Sequence, residues 1–484
     1  MIFTEFRFFL FFAIVFGVYW TLRHNGWRKA WLLLCSYAFY GAWDWRFLFL
    51  IMGSTLVDYI VGLNLVKARE RPMVRRSWLM VSLGVNLGAL AYFKYANFFA
   101  ESAADMFSWL GLPMNSVTLN IVLPVGISFY TFQTLSYSLD IYAGRLQPRK
   151  SLLDLATFVA FFPQLVAGPI VRASDFLPQL DSVRQFSQVN IRTCLTLFIV
   201  GFFKKACVSD NLAPVVDRYF SDPSAFDALS SWIGVVGYAT QIYCDFSGYS
   251  DMAIACAGLL GYQLCVNFDF PYFASNITDF WRRWHISLST WLKDYLYIPL
   301  GGNRGGQWAT YRNLTLTMLL GGLWHGAAWT FVVWGALHGG ALIVHREWRK
   351  FAEKLAGKLS ARRSPSSGKA VGLPMLSPML GPLLTFYWVC IAWVFFRADS
   401  FGSALVVLRS FVLMRSPGEQ QLNLGLFSVF FVLGCLHWLT AKKVWTQAIE
   451  KMPAQLYAVG YGFAAALMLT IVPVGYTPFI YFQF

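Results

Sequence analysis

One histidine stands in the middle of an apolar stretch. His325 lies within residues 319–330, LLGGLWHGAAWT, with glycines and alanines on both sides. A neutral imidazole in a water-poor cavity can accept a proton from a hydroxyl group as that hydroxyl attacks an acyl carbonyl. The small neighbours bring backbones together or leave room for a ligand. The sequence therefore leaves two interpretations open, a catalytic base and a buried histidine hydrogen-bonded between helices.

A second segment, residues 278–294, carries charged groups among apolar and aromatic residues. On a helix, Arg282 and Arg283 lie one turn after Asp279, and His285 lies three residues after Arg282. Ionisable groups at membrane depth are candidates for a functional site. The arginines could bind an anionic group, because a guanidinium group matches phosphate geometry. The interleaved tryptophans equally fit an amphipathic helix at the membrane interface.

The remaining polar signals are weaker. Asp294 leads into a polar loop that extends to residues 301–304. His338 follows His325 by 13 residues and could share its cavity, although a structural role is favoured for it and for the other histidines. The 8 cysteines are scattered, and the chain has no C-x-x-C pair, phosphate loop or H-E-x-x-H motif. We therefore expect no metal ion and no bound cofactor.

The composition places these residues in a membrane protein. Of 484 residues, 57% are hydrophobic and only 13% are charged, and the mean hydropathy is +0.51. Soluble domains carry about 25% charged residues. These values exclude a disordered chain, a coiled coil, a nucleic-acid-binding domain and an ordinary soluble enzyme. The net charge of +15 comes largely from lysines and arginines grouped in loops, as expected of cytoplasmic loops.

The apolar runs predict an all-α, polytopic fold with roughly 10–13 transmembrane and re-entrant helices. The main runs are 8–22, 30–51, 55–66, 78–93, 121–142, 194–203, 232–243, 250–266, 314–334, 380–396, 424–439 and 456–472. The basic loops 23–29, 67–76 and 346–369 are expected in the cytoplasm, which places both termini on the periplasmic side.

Composition also divides the chain. Residues 360–382, rich in Ser, Pro, Gly and Arg, predict a flexible cytoplasmic linker. They separate an N-terminal helical bundle, residues 1–359, from C-terminal transmembrane helices at 383–484.

Several longer motifs resemble the membrane-bound O-acyltransferase (MBOAT) family, and specifically its bacterial alginate O-acetyltransferase branch. The resemblance is carried by FWRRWHISLSTW at 280–291, DYLYIPLGGNR at 294–304, LLGGLWHG at 319–326, LPVGISFYTF at 123–132, FPQLVAGP at 162–169, YCDFSGYSDM at 243–252 and PFIYFQF at 478–484. The match is specific over about 120–345, which the resemblance identifies as the catalytic core, and looser elsewhere.

The resemblance implies a ring of tilted helices around a central funnel that narrows at the catalytic histidine, here His325. It implies a second active-site position at His285, where lipid-modifying branches carry asparagine. We expect Arg282, Arg283, Trp324 and Asp294 to contribute to substrate binding. The expected site residues are therefore His325, His285, Arg282, Arg283, Trp324 and Asp294.

The resemblance also implies a reaction and its partners. The expected protein is an inner-membrane O-acetyltransferase that moves acetyl groups across the membrane from a cytoplasmic donor, acetyl-CoA or another acyl thioester. The acetyl groups serve O-acetylation of an exported polysaccharide of the alginate or cellulose type, through catalytic His325. Its expected partners are membrane lipids, a periplasmic acyltransferase-type protein and the machinery that synthesises and exports a polysaccharide, with no nucleic acid. Two alternatives stay open: a transporter or flippase component without acyl-transfer chemistry, and acetylation of peptidoglycan.

Overall fold

The computed structural model describes residues 1–112, 118–361, 379–473, 475 and 478–480, and most of them are helical. In chain order the helices are α1 (Phe6–Thr21), α2 (Asn25–Asp44), α3 (Leu48–Lys67), α4 (Pro72–Leu90), α5 (Ala96–Trp109), α6 (Ile127–Tyr142), α7 (Leu152–Ala160), α8 (Phe162–Leu165), α9 (Ala173–Phe176), α10 (Ile191–Phe202), α11 (Asp210–Ser221), α12 (Ala228–Leu259), α13 (Ile277–Arg283), α14 (Ile286–Leu292), α15 (Gly306–His325), α16 (Trp329–Ala361), α17 (Leu380–Arg397), α18 (Phe401–Leu413), α19 (Leu426–Ala441), α20 (Thr446–Lys451) and α21 (Ala454–Ile471). Three π-helical turns lie at Ala91–Tyr95, Phe203–Ser209 and Lys293–Tyr297.

The expected all-α membrane class is confirmed. Within the described part of the chain, β-pairing is limited to one isolated bridge between Phe226 and Gln420. By length and composition, four described helical stretches can cross a membrane: Asn25–Lys67, Pro72–Trp109, Leu380–Arg397 and Ala454–Ile471. No residue of the apolar helices α19 and α21 is buried within the protein, as expected of helices that face lipid. The total number of spans, the funnel and the side of the termini stay predictions.

Two expected span boundaries are wrong. The sequence predicts separate spans at 232–243 and 250–266, but a single helix, α12, covers most of both. Asp245 can stay inside this helix because the ammonium group of Lys205 lies 2.6 Å from its carboxylate. The run 314–334, expected as one span, is interrupted just after His325, where α15 ends.

The chain divides into two compact units. The first comprises Met1–Asp210, Tyr243–Val266 and Met452–Phe484. Within it, α3, α4 and α6 pack around the buried carboxylate of Asp58, which accepts hydrogen bonds from Ser82, Asn86 and Ser138. Buried polar groups of this kind hold membrane helices together when all of them are satisfied.

The first unit also contains a buried charge cluster. The ammonium group of Lys205 lies 2.7 Å from the Asp210 carboxylate as well as 2.6 Å from that of Asp245. The second oxygen of Asp245 accepts a hydrogen bond of 2.7 Å from the backbone N–H of Ile480. This cluster ties the chain end near residue 480 to α12.

The second unit, Asn211–Ile242 and Asn267–Lys451, contains both candidate catalytic histidines. Its centre is the hairpin of α15 and α16, against which α13 and α17 pack. The predicted linker at 360–382 falls mostly on residues 362–378, which lie outside the described residues. At its two edges the chain is helical, since α16 ends at Ala361 and α17 begins at Leu380.

Candidate active site

His325 is the last residue of α15, and its side chain is 2% exposed. The chain turns over residues 326–328 and enters α16 at Trp329. Gly322 and Gly335 allow the two helices to cross at backbone contact. A Cβ at Gly322 would lie 2.2 Å from the carbonyl oxygen of Phe331. The glycines of the LLGGLWHG motif therefore serve close packing, which fixes the position of the histidine.

The end of α15 also affects the charge that His325 can carry. The last carbonyl groups of a helix lack partners within the helix and produce a partial negative charge there. A cation at this end is stabilised by this charge. An imidazole at the C-terminus of α15 is thus well placed to accept a proton during a reaction.

His285 occupies a break in the helix expected over residues 278–294. That expectation is wrong: α13 ends at Arg283 and α14 begins at Ile286. Between them, His285 adopts a left-handed backbone conformation with φ of +43°. For a residue with a Cβ this costs roughly 1–2 kcal/mol, and such strain is concentrated at functional sites. The turn places the imidazole in the interior, where it is fully buried.

Asn267 stabilises the break between α13 and α14. Its side-chain oxygen lies 3.2 Å from Nδ1 of His285. The same oxygen accepts hydrogen bonds from the backbone N–H and the hydroxyl group of Ser287. Its backbone carbonyl accepts the N–H of Ile286. One buried asparagine therefore binds the first turn of α14 and orients the histidine, and if the amide oxygen accepts, Nδ1 of His285 carries the proton.

The structure brings three of the predicted site residues together. The ring centroids of His285 and His325 are 6.3 Å apart. The indole of Trp324 contacts both imidazoles, at 6.0 Å from His285 and 5.0 Å from His325. Trp334 and Phe396 cover further sides of His325, at 5.0 and 5.3 Å. The two histidines thus form an imidazole pair inside an aromatic enclosure.

For the other predicted site residues, the described contacts are with residues other than the two histidines. Arg283 is held in an ion pair with Asp279 at 3.0 Å. Arg282 is exposed on α13. Asp294 lies in the π-helical turn after α14, 3.8 Å from the ammonium group of Lys293. Of the two arginines, Arg282 therefore has the more accessible guanidinium group.

Sequence reasoning missed three residues of the enclosure. Asn267 lies 18 positions before His285 and stands in no recognised motif. Trp334 and Phe396 belong to apolar runs that predict only membrane helices. A polar residue just before the FDFPYF segment was the one available signal for Asn267. The described residues contain no group of three or more His, Cys, Asp or Glu side chains arranged to hold a metal ion.

The arrangement suits acyl transfer. One imidazole at a helix C-terminus can accept a proton. A second, whose Nδ1 proton is directed at an asparagine oxygen, presents the lone pair of Nε2 and can orient a bound donor. The aromatic rings exclude water, which would otherwise hydrolyse an activated acyl group.

Comparisons with known proteins agree with this chemistry. A model of the membrane-bound O-acyltransferase family, MBOAT, matches residues 145–377, a range that contains both histidines. The chain is 42% identical over 417 residues to "Probable alginate O-acetylase AlgI" of Azotobacter vinelandii, covering 86% of this chain and 78% of that protein. The protein of the same name from Pseudomonas aeruginosa is also 42% identical over 417 residues, with coverage of 86% and 75%. A "Peptidoglycan O-acetyltransferase" of Helicobacter pylori is 38% identical over 410 residues, covering 79% of this chain and 73% of that protein.

Proposed function

Because the chain belongs to the membrane-bound O-acyltransferase family, we propose that this integral membrane O-acyltransferase acetylates an exported polysaccharide of the alginate or cellulose type. The relatives that act on alginate support the polymer class. In this proposal an acyl thioester such as acetyl-CoA supplies the acetyl group from the cytoplasm. A periplasmic acyltransferase-type partner passes it to the polymer during export.

The buried imidazole pair of His285 and His325 carries the proposal. His325 accepts the proton of the acceptor hydroxyl as the hydroxyl oxygen bonds to the acyl carbon. The carbon–sulfur bond then breaks, and the imidazolium returns the proton to the departing thiolate. The C-terminal end of α15 stabilises the transient imidazolium. His285, whose Nδ1 proton is directed at the Asn267 oxygen, orients the acyl donor through Nε2, which accepts a hydrogen bond.

The surrounding predicted residues have supporting roles in this proposal. Trp324 contacts both imidazoles and limits the space beside the reacting carbon. Arg282 is exposed and binds the phosphates of an anionic donor. Arg283 contributes through its ion pair with Asp279, which stabilises the end of α13. Asp294 contributes to substrate binding.

Peptidoglycan is the second candidate acceptor, favoured by the similarity to the Helicobacter protein. Purified full-length protein would be given labelled acetyl-CoA together with either a short uronate oligomer or a soluble peptidoglycan fragment. We expect labelled ester on the uronate oligomer, because a short soluble acceptor can take the acetyl group directly, without the partner that serves the exported polymer in the cell. Label found only on the peptidoglycan fragment would replace the first candidate with the second.

The same assay also tests whether the chain itself performs the chemistry. The family membership favours an enzyme over a transporter without acyl-transfer chemistry. If neither acceptor is labelled, the measurement is repeated in inverted membranes that contain the export machinery. Acetylation that survives removal of both imidazoles in those membranes would assign the chemistry to another protein.

A further inference from the structure

A third buried histidine lies next to the imidazole pair. His338 is on α16, and its side chain is fully buried. Its ring lies 4.7 Å from Trp334 and 5.0 Å from Trp281. Trp334 in turn contacts His325 at 5.0 Å. The cluster of His338, Trp281 and Trp334, here called the indole–imidazole cluster, is therefore one aromatic ring away from the candidate catalytic base.

The cluster holds polar atoms that the protein does not satisfy. Among the described residues, neither Nδ1 nor Nε2 of His338 has a hydrogen-bond partner, and both are buried. The indole nitrogens of Trp281 and Trp334 are likewise buried and unpartnered within the described chain. Buried polar groups in native proteins are almost always paired. Four such atoms on three touching rings indicate a site that a polar ligand completes.

The unpaired atoms specify the chemistry of that ligand. Each indole nitrogen can only donate a hydrogen bond, whereas a neutral imidazole offers one donor and one acceptor. A complementary ligand has a strong acceptor oxygen for the donors and an N–H group for the imidazole. It is also uncharged, because the rings around it are apolar. An amide group fits each of these requirements.

The position of the cluster favours the donor substrate over the acceptor. Trp281 is followed directly by Arg282, which is exposed. Further along α16, His345 comes directly before the basic residues that begin at Arg346. Its Nδ1 atom lies 2.9 Å from the hydroxyl group of Thr278 on α13. A donor with phosphates at one end and a thioester at the other would therefore pass the cluster between the basic residues and His325.

We propose that the indole–imidazole cluster binds an amide group of the pantetheine arm of the acyl donor. This inference rests on the proposed function, because it identifies the donor class of the same site. A pantetheine arm is shared by coenzyme A and by acyl carrier proteins, and its two amides precede the thioester. Hydrogen bonds from Trp281 and Trp334 to the amide oxygen, and from the amide N–H to His338, position the acyl carbon near His325.

The test removes the hydrogen-bonding atoms while keeping the volume. His338→Leu removes both nitrogens, His338→Gln retains one donor and one acceptor, and Trp281→Phe removes one indole N–H. Each protein would be assayed for binding of coenzyme A and of a pantetheine-bearing carrier protein, and for thiol release from their acetyl thioesters. Trp388→Phe, at another buried unpaired indole on α17, is the matched control.

We expect His338→Leu to weaken binding of the donor about tenfold, the effect of one lost hydrogen bond. His338→Gln restores most of the affinity, Trp281→Phe gives a smaller loss, and Trp388→Phe gives none. The donor that the wild-type protein binds, coenzyme A or the carrier protein, identifies the source of the arm.

An amide-free donor, S-acetyl-2-mercaptoethanol, separates recognition from folding. If the cluster binds the amide, thiol release from this donor is the same in the wild type and in His338→Leu. An equal loss with both kinds of donor, or unchanged binding of both pantetheine donors by His338→Leu, overturns the inference. If the wild-type protein binds the pantetheine donors without transferring acetyl, the proposed function fails while this inference stands.

Discussion

Replacing Gly335 with alanine would perturb the crossing of α15 and α16 without removing any polar group of the site. A Cβ at this position would lie 2.3 Å from the carbonyl oxygen of Met318, and the obstructing atom belongs to the backbone. Because it cannot rotate away, the helices must separate by about 1 Å to restore ordinary contact. Overpacking of this kind costs about 1–3 kcal/mol.

The same displacement reaches His325, which α15 carries at its end. A misplacement of about 1 Å in a catalytic group costs roughly 100-fold in rate. We therefore expect Gly335→Ala to lower acetyl transfer by about 100-fold in addition to its loss of stability. Thermal unfolding in detergent and thiol release from the acetyl donor measure the two effects.

Gly340, five residues further along α16, provides the control. An added Cβ there meets nothing within 4 Å. Alanine is the better helix former by up to about 1 kcal/mol, so Gly340→Ala should be as stable as the wild type or more stable, with full activity. Equal stability and equal activity of the two alanine variants would refute the packing argument.

Two further predictions concern buried polar groups. Asn267→Ala removes the acceptor that orients His285 and should lower kcat by about 100-fold with a smaller change in KM. Steady-state kinetics measure both constants. An unchanged kcat would contradict the role assigned to Asn267. Lys205→Met leaves the carboxylates of Asp210 and Asp245 buried without their cation and should destabilise the protein by about 3–5 kcal/mol. Lys204→Met is the control, because Lys204 pairs with Asp251 at a site about 20% exposed, and its loss should destabilise the protein less. If thermal unfolding shows Lys204→Met to be the less stable variant, this account is contradicted.

The membrane class could be predicted from the sequence, for physical reasons. A shortage of charge leaves few alternatives to a membrane protein, and the few polar residues in apolar runs are costly enough to mark a function. His325 and the charged segment 278–294 are candidates on this ground, whereas the family resemblance is what indicates His285. The structure places the two histidines 6.3 Å apart, a distance that no local spacing specifies.

The conformation of the site could not be predicted from local patterns. The left-handed turn at His285 is held by Asn267, 18 residues earlier. The local sequence pattern therefore predicts a continuous helix through a point where the helix breaks. The continuity of α12 depends on Lys205, which neutralises Asp245 from a distant part of the chain. In both cases a tertiary contact overrides the local pattern.

The packing around His325 could be predicted only in part from the sequence. The glycines beside it indicated close packing or space for a ligand, and the distances across the α15–α16 hairpin decide for close packing. Trp334 and Phe396, which enclose the imidazole, carry no signal in the sequence, because tryptophan and phenylalanine are common in membrane helices.

The most direct test of the central claim is acetylation of the exported polymer by His325→Ala. The variant would be compared with the wild type in the cell at matched amounts of membrane-inserted protein, with ester-linked acetate on the polymer as the readout. We expect the protein to be present in the membrane and polymer acetylation to be abolished. Full acetylation by His325→Ala would contradict the assignment of this residue as the catalytic base.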